Sequence, residues 1–301
     1  MTVVRVADAV RAALDAGRPV VALESTLISH GLPRPQNLEI ARRLEAVVRS
    51  GGAVAATVGI LHGEPIVGLS DDELTVLAMT DGVRKCSRRD IAVAIARQEH
   101  GATTVAGTLA LMATAGLRVL ATGGIGGVHR GADQTFDISA DLVELARTPA
   151  IVVCAGAKAI LDLPRTVEIL ETAGVPILGW QTDELPAFYA SSSGLPVTAR
   201  VDSADDVARV ARAGWELGTG CGVLVGVPPP IGMTLDTDTV EHALADALAE
   251  ADARGVSGAA VTPFLLNAVA QSTAGESVAA NLALLENNAR VAAEIAAALS
   301  A

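Results

Sequence analysis

The chain has 301 residues, a formal net charge of −12 and only six aromatic side chains, while half of its residues are apolar. That balance excludes a disordered or collagenous chain and argues against non-specific nucleic-acid binding, which needs clustered Lys and Arg. The core must be built from Ala, Val, Leu and Ile, a small-residue style suited to helices lying close on a sheet.

In chain order, Arg18–Leu23 is a predicted buried strand, Asn37–Arg49 an amphipathic helix, and Ala53–Ile60 a strand with Pro65–Gly68 as its candidate partner. Asp71–Met79 is a helix with Ser70 as N-cap, and Lys85 lies in a predicted loop, Arg84–Ser87, before a helix at Ile91–Gln98. Thr103–Ala106 is a short strand leading to a helix at Leu109–Ala115, and strand Leu117–Ala121 runs into TGGIGGVHRG. A helix at Asp141–Arg147 starts near Ser139 or Ala140, strand Ile151–Ala155 is followed at once by Gly156-Ala157-Lys158, and Thr166–Ala173 is a helix. Strand Pro176–Trp180, helix Ala204–Leu217, strand Gly222–Val227 and helices at Val240–Ala253, Thr262–Gln271 and Ser277–Leu299 complete the chain. Short strands alternating with longer helices predict an α/β fold, a single-domain α/β/α sandwich over residues 1–301 with a largely parallel central sheet.

Three uncharged stretches, Gly101–Leu117, Leu217–Leu235 and Val256–Gly275, are too short, too Gly- and Pro-rich or too polar for a membrane span. The N-terminal MTVVRVADAVRAAL carries Asp8 and no signal-peptide pattern. Cys86, Cys154 and Cys221 are odd in number and form neither a CxxC nor a zinc spacing. The expectation is a cytoplasmic enzyme of small molecules, with neither membrane nor nucleic acid as partner.

Of the 22 cationic Lys and Arg residues only two, Lys85 and Lys158, are lysines. Arg serves wherever a permanent cation is enough, but an amine that must lose its proton and attack a carbonyl cannot be replaced by a guanidinium. The two lysines are therefore candidates for amine chemistry, against the alternative of two surviving surface residues. In parallel α/β folds the reactive rim lies at the strand C-termini. Glu24, the Thr122 loop and Lys158 all follow predicted strands directly or within a short turn.

The TGGIGG loop allows backbone N–H groups to approach an anion. It is neither a dinucleotide fingerprint nor a P-loop, and a plain surface turn is the competing reading. Asp133, Asp137 and Asp141 recur at a spacing of four, which suits a hard cation with oxygen ligands; helix capping is the alternative for the last of them. His30 and His129 sit beside glycines, and Asn281, Asn287 and Asn288 lie inside the last helix, where Asn is disfavoured. Asn281 is a candidate ligand contact, unless all three asparagines face water.

The run ALESTLISHGLP at Ala22–Pro33, then Pro35-Gln36-Asn37, resembles the opening of the pseudouridine-5'-phosphate glycosidases, the indigoidine synthase A-like family. The resemblance continues through GAVAATVGILHGEPIVGL, RKCSRRD, TTVAGT, ATGGIGGVHRGADQTFDISADL, VVCAGAKAILDLPRTVEILET, LGWQTDELPAFYASSSGLPV, VTPFLL and SVAANLALLENNA, nearly the whole chain. It implies reversible cleavage of pseudouridine 5'-phosphate to uracil and ribose 5-phosphate. It places Glu24 as proton donor and Lys158 as the nucleophile that forms an imine with ribose C1'. Lys85, the backbone around Val105, and Ser139, Ala140 and Asp141 fall at substrate-contact positions; His129 and Asn281 fall at polar active-site positions. Asp137 falls at a metal position, implying one Mn²⁺ per subunit, and the family assembles as trimers. Thr122, Lys85 and Ser139 are the candidate phosphate ligands.

The chemistry agrees with the residues. The bond to be cleaved joins ribose C1' to uracil C5, so protonating a glycosidic oxygen cannot release the base and the usual carboxylate pair is insufficient. An acid must protonate C5, and an amine can capture C1'. Two other readings compete: a Schiff-base aldolase or lyase of another sugar phosphate, and a sugar- or nucleotide-binding protein without turnover. Release of uracil separates the first reading from both.

Overall fold

Val20–Leu23 is apolar, β-branched at its start and buried at every position, as an interior parallel strand must be. The computed structural model describes residues 4–31, 33–256, 261–273 and 275–301. Leu32 of the Ala22–Pro33 run, the first three residues, and 257–260 and Ala274 of the Val256–Gly275 stretch lie outside the described residues.

Val20–Leu23 pairs in parallel with Val54–Leu61 on one side and Val119–Ala121 on the other. The sheet continues in parallel through Ile151–Cys154, Val223–Gly226, Ile177–Trp180 and Ala199–Val201. On the far side Val54–Leu61 runs antiparallel to Glu64–Val67 and to Gly101–Thr103. The first of these pairings follows from the connection: His62 and Gly63 both have positive φ, the two-residue turn that joins antiparallel strands. Arg84–Cys86 adds in parallel to Gly101–Thr103, and Arg5–Val6 to Glu64–Val67. The sheet is largely parallel, and helices flank it, as the strand–helix alternation predicts.

Glu276–Ser300 lies across Val20–Leu23, Val119–Ala121 and Ile151–Cys154, with Gln36–Ser50 and Ala204–Leu217 packed beside it. Alanine is the commonest residue on its buried side, which lets backbones come close: a Cβ at Gly51 would stand 2.6 Å from the Ala293 Cβ. Val105–Thr114, with Ala140–Leu145 against it, packs on the other side of the sheet. Ala204–Leu217 coincides with its sequence prediction, because Ser203 and Asp206 form a capping box and Gly218 stops the helix at φ 80°.

The differences have local causes. Lys85 is not in a loop: Arg84–Cys86 is a strand, and its alternation puts Lys85 on the opposite side from the buried Cys86. The predicted Thr103–Ala106 strand ends at Thr103, and the helix begins at Val105, because the Thr104 hydroxyl caps it by accepting from the Gly107 N–H at 3.3 Å. Asp8–Asp15 is a helix without a side-chain cap, and so carries no start signal in the sequence. Among the described residues no helix is long and apolar enough to cross a membrane, and all three cysteines are free and buried.

Candidate active site

Strands Val20–Leu23, Val119–Ala121 and Ile151–Cys154 are consecutive neighbours in the sheet, so the residues just past their C-termini share one rim. Glu24, Thr122 and Lys158, which follows the Gly156-Ala157 turn, meet there, lining a cavity of about 800 Å³. Lys85, His129, Asp137, Ser139, Ala140, Asp141 and Asn281 line the same cavity. Of the positions that the family resemblance gives, Val105 contributes no side chain: it is buried in the core at the start of its helix, and its neighbour Thr104 faces the cavity.

Each side chain is placed by backbone that the sequence explains. Lys158 follows a turn that is tied to the glycine loop, its N–H donating to the Ile125 carbonyl at 3.1 Å while Leu161 N–H donates to the Lys158 carbonyl at 3.0 Å. Gly156 has φ 86°, and a Cβ there would stand 2.1 Å from the Pro186 carbonyl oxygen, so only glycine makes this turn. Val128–His129 pairs antiparallel with Leu161–Asp162, which sets His129 opposite Leu161, three residues past Lys158.

Part of the glycine loop serves the fold itself, while Gly123 and Gly124 line the cavity. Its glycines answer to packing: a Cβ at Gly124 would stand 2.7 Å from the Phe188 ring, and one at Gly126 would stand 2.2 Å from the Ser139 hydroxyl. The anion held by this loop is the protein's own Asp141, whose two oxygens accept from the Gly126 N–H and the Ala106 N–H, both at 2.8 Å. Asp141 thereby joins the loop to the N-terminus of Val105–Thr114. Ser139 caps Ala140–Leu145, accepting from the Asp141 N–H at 3.2 Å.

The three aspartates do not converge. Asp133 is exposed and paired with Arg165 at 3.4 Å, and Asp141 is committed to backbone amides. Phe136, at φ 54°, breaks the helix between them, so the spacing of four never becomes one helical face. Asp137 lines the cavity, its carboxylate acting on Lys85 and His129 and its backbone carbonyl accepting from the His129 N–H at 3.0 Å. Among the described residues no group of three or more His, Cys, Asp or Glu is placed to hold a metal. One carboxylate fits a hard cation that keeps most of its waters and does not fit an all-protein cage.

Burial holds the Glu24 carboxyl above its ordinary value of 4.5, against the opposing effects of the Lys158 ammonium and the Thr122 hydroxyl, which donates to Glu24 Oε1. Burial also lowers the Lys85 amine below its ordinary value, and the Lys158 charge adds to that effect. An acid that tends to keep its proton and an amine that tends to lose it therefore face one cavity. The Thr122 hydroxyl is engaged with this carboxyl.

Sequence reasoning missed Asn288. It is 1% exposed and does not face water: its Nδ2 donates to the Thr122 carbonyl at 2.8 Å and the Gly123 carbonyl at 3.3 Å. The position of Asn in mid-helix was the available signal.

A family model described as indigoidine synthase A like protein matches residues 9–298. A curated pseudouridine-5'-phosphate glycosidase of Chloroflexus aurantiacus is 58% identical over 300 residues, covering 98% of each chain. One of Herpetosiphon aurantiacus is 55% identical over 299 residues, covering 99% of each. The crystal structure of prealnumycin C-glycosynthase in complex with ribulose 5-phosphate superposes with a TM-score of 0.92 at 44% identity, covering 100% of this chain and 98% of that one. An indigoidine synthase A-like protein from Thermotoga maritima gives 0.88 at 37% identity, over 95% and 94% of the two chains.

Proposed function

The chain belongs to the indigoidine synthase A-like family, and from that premise we propose that it cleaves the C–C glycosidic bond of pseudouridine 5'-phosphate, reversibly, to uracil and ribose 5-phosphate. The observation that carries the reading is the meeting of Glu24 with both lysines of the chain in one cavity. The names of the curated relatives support the substrate.

In this reading the Lys158 amine bonds to ribose C1', and the C1'–C5 bonding pair goes to C5 of the base, which takes the proton of Glu24. Uracil leaves; the nitrogen lone pair then forms the C1'=N bond as the C1'–O4' bond breaks and O4' takes a proton from the amine, so the ribose remains as an open-chain imine of Lys158 with O4' as a hydroxyl. Water then adds to C1' and expels the amine, giving ribose 5-phosphate, while its remaining proton restores Glu24. One water is consumed overall. Lys85, Ser139, Asn281 and the backbone around Val105 bind and orient the substrate. A divalent ion such as Mn²⁺, held at Asp137, would supply charge to organise substrate oxygens. The test is incubation of the protein with pseudouridine 5'-phosphate and Mn²⁺: uracil and ribose 5-phosphate appear in equal amounts. Their absence overturns the assignment; a sugar-phosphate aldol cleavage in its place would favour the lyase reading.

Three outcomes follow. EDTA abolishes uracil release and Mn²⁺ restores it, while Asp137→Ala raises the Mn²⁺ concentration needed, with an unchanged circular dichroism spectrum. Full activity of metal-stripped protein would remove the metal from the mechanism. Unphosphorylated pseudouridine reacts with a kcat/KM lower by about 10²-fold or more, because remote binding energy positions the reacting carbon; equal rates would dismiss the phosphate contacts. Finally, Phe136, Ile138 and Val143 are 82%, 41% and 54% exposed beside the cavity, an apolar surface suited to a second copy. Light scattering gives three times the 30.4 kDa chain mass, and Phe136→Glu weakens the assembly; a monomer at micromolar concentration contradicts the trimer.

A further inference from the structure

We propose that Asn288 is a positioning residue for the proton donor: its side-chain amide fixes the Thr122-Gly123 turn, and the turn fixes the Thr122 hydroxyl on Glu24. The inference rests on the reading of Glu24 as the acid that protonates the leaving base.

The geometry is specific. Asn281 and Asn288 are seven residues apart on Glu276–Ser300, two turns of one face. The first faces the cavity, and the second reaches the backbone beneath it. Both partners of Asn288 are carbonyl oxygens, so its nitrogen must face them, and two N–H donors serve two consecutive carbonyls. Those carbonyls belong to the residues that leave strand Val119–Ala121 at the rim. The turn is anchored on its other side by Thr122 N–H to Val153 O at 3.0 Å and by Ala155 N–H to Gly123 O at 2.9 Å. Helix and turn are in close contact: a Cβ at Gly123 would meet Leu285 Cδ2 at 3.2 Å and Leu284 Cδ1 at 3.4 Å.

The Asn288 Oδ1 is buried and, among the described residues, has no hydrogen-bond partner. A buried amide with an unsatisfied oxygen is an expensive way to fill a helix–sheet contact that leucine would fill without that cost. What leucine could not do is hold the two carbonyls. The chain of contacts then runs from the helix to the acid: Asn288 amide, Thr122 backbone, Thr122 hydroxyl, Glu24 carboxylate. The Thr122 hydroxyl donates to the ionised carboxyl, so it opposes the upward effect of burial. The charged groups acting on Glu24 from the surrounding elements are Lys158, Asp141 and Lys85. A change at Asn288 reaches Glu24 through the Thr122 backbone and hydroxyl.

The test needs a readout that does not depend on turnover. The titration of Glu24 is isolated as the infrared carboxyl difference between the wild-type protein and Glu24→Gln, first in the wild type, then in Asn288→Ala, Thr122→Val and the double variant. Release of the turn moves the Glu24 titration to higher pH in Asn288→Ala. Thr122→Val moves it in the same direction, and the double variant moves it no further than Thr122→Val alone. With pseudouridine 5'-phosphate, kcat of Asn288→Ala falls tenfold or more while KM stays within about twofold. If Asn288→Ala does not fold, the uncharged Asn288→Leu fills the helix–sheet contact without holding the two carbonyls and is read in the same way. A lower melting temperature with an unmoved titration and an unchanged kcat would make Asn288 a packing residue only, and a shift that adds to that of Thr122→Val would break the proposed route. A moved titration in a protein that releases no uracil would uphold the positioning and overturn the assigned reaction.

Discussion

Ribose 5-phosphate followed by borohydride labels Lys158 and leaves Lys85 unmodified, as read by peptide mass. Both amines line the same cavity, and burial lowers the Lys85 amine, which by itself would suit a neutral nucleophile. Position decides against it. The two atoms that react, C1' and C5, are bonded to one another, so the amine that captures C1' must stand beside the acid that protonates C5. Of the two lysines, Lys158 acts more strongly on the Glu24 carboxyl. Its turn is also the more constrained, through the Ile125 carbonyl, the positive φ of Gly156, and the Arg130 guanidinium that donates to the Ala159 carbonyl at 3.4 Å. Lys158→Arg keeps the charge and loses the adduct, because a guanidinium does not give up its proton, and kcat falls by about 10³-fold or more, the scale of a lost nucleophile. Lys85→Arg keeps the adduct and loses substrate affinity by about tenfold, the scale of a misplaced charged hydrogen bond. A label on Lys85 alone, or normal turnover by Lys158→Arg, would assign the nucleophile to the wrong residue.

The residues at the rim were legible because strand ends announce themselves: an apolar run followed by Glu24, by Thr122 or by a short turn to Lys158 marks where a parallel sheet presents its C-termini. The scarcity of lysine in an arginine-rich chain added a chemical reason to look at two positions. Contacts between distant segments were not legible. TGGIGG reads locally as a flexible anion site, but Gly124 is required by Phe188 and Gly126 by Ser139 and Asp141. Asp141 reads as the third member of a repeating acidic pattern, but its oxygens bind amides 35 and 15 residues away. Lys85 reads as a loop residue because a three-residue strand carries too short a pattern to show a period of two. Asn288 shows the same limit: sequence says that asparagine is out of place in the helix, and only the fold says which carbonyls it holds.

Glu24→Gln abolishes uracil release and leaves the fold intact, with a stability at neutral pH no lower than that of the wild type. The two halves of this expectation come from one cause. Burial raises the Glu24 carboxyl above 4.5, with Lys158 and Thr122 opposing and Asp141 reinforcing the rise. For an acid raised in the folded state, the unfolded chain gives up its proton first. Below about pH 4.5 both states are protonated and the residue costs nothing. Above that the folded state holds a proton that the unfolded state has lost, so stability is lost as pH rises toward the folded value. Glutamine has no proton to lose: melting temperatures of Glu24→Gln and wild type should run parallel at pH 4 and separate, with the variant equal or higher, at pH 8. Activity follows the opposite requirement. The acid must carry its proton when C5 receives it, so wild-type kcat falls as pH rises through the folded value of Glu24. Glutamine cannot supply the proton, and the loss is about 10²–10⁴-fold, the range for a general acid. A variant that stays active, or that loses stability at pH 8 relative to the wild type, would show that Glu24 is held ionised for structural reasons and that the proton reaches C5 from another group.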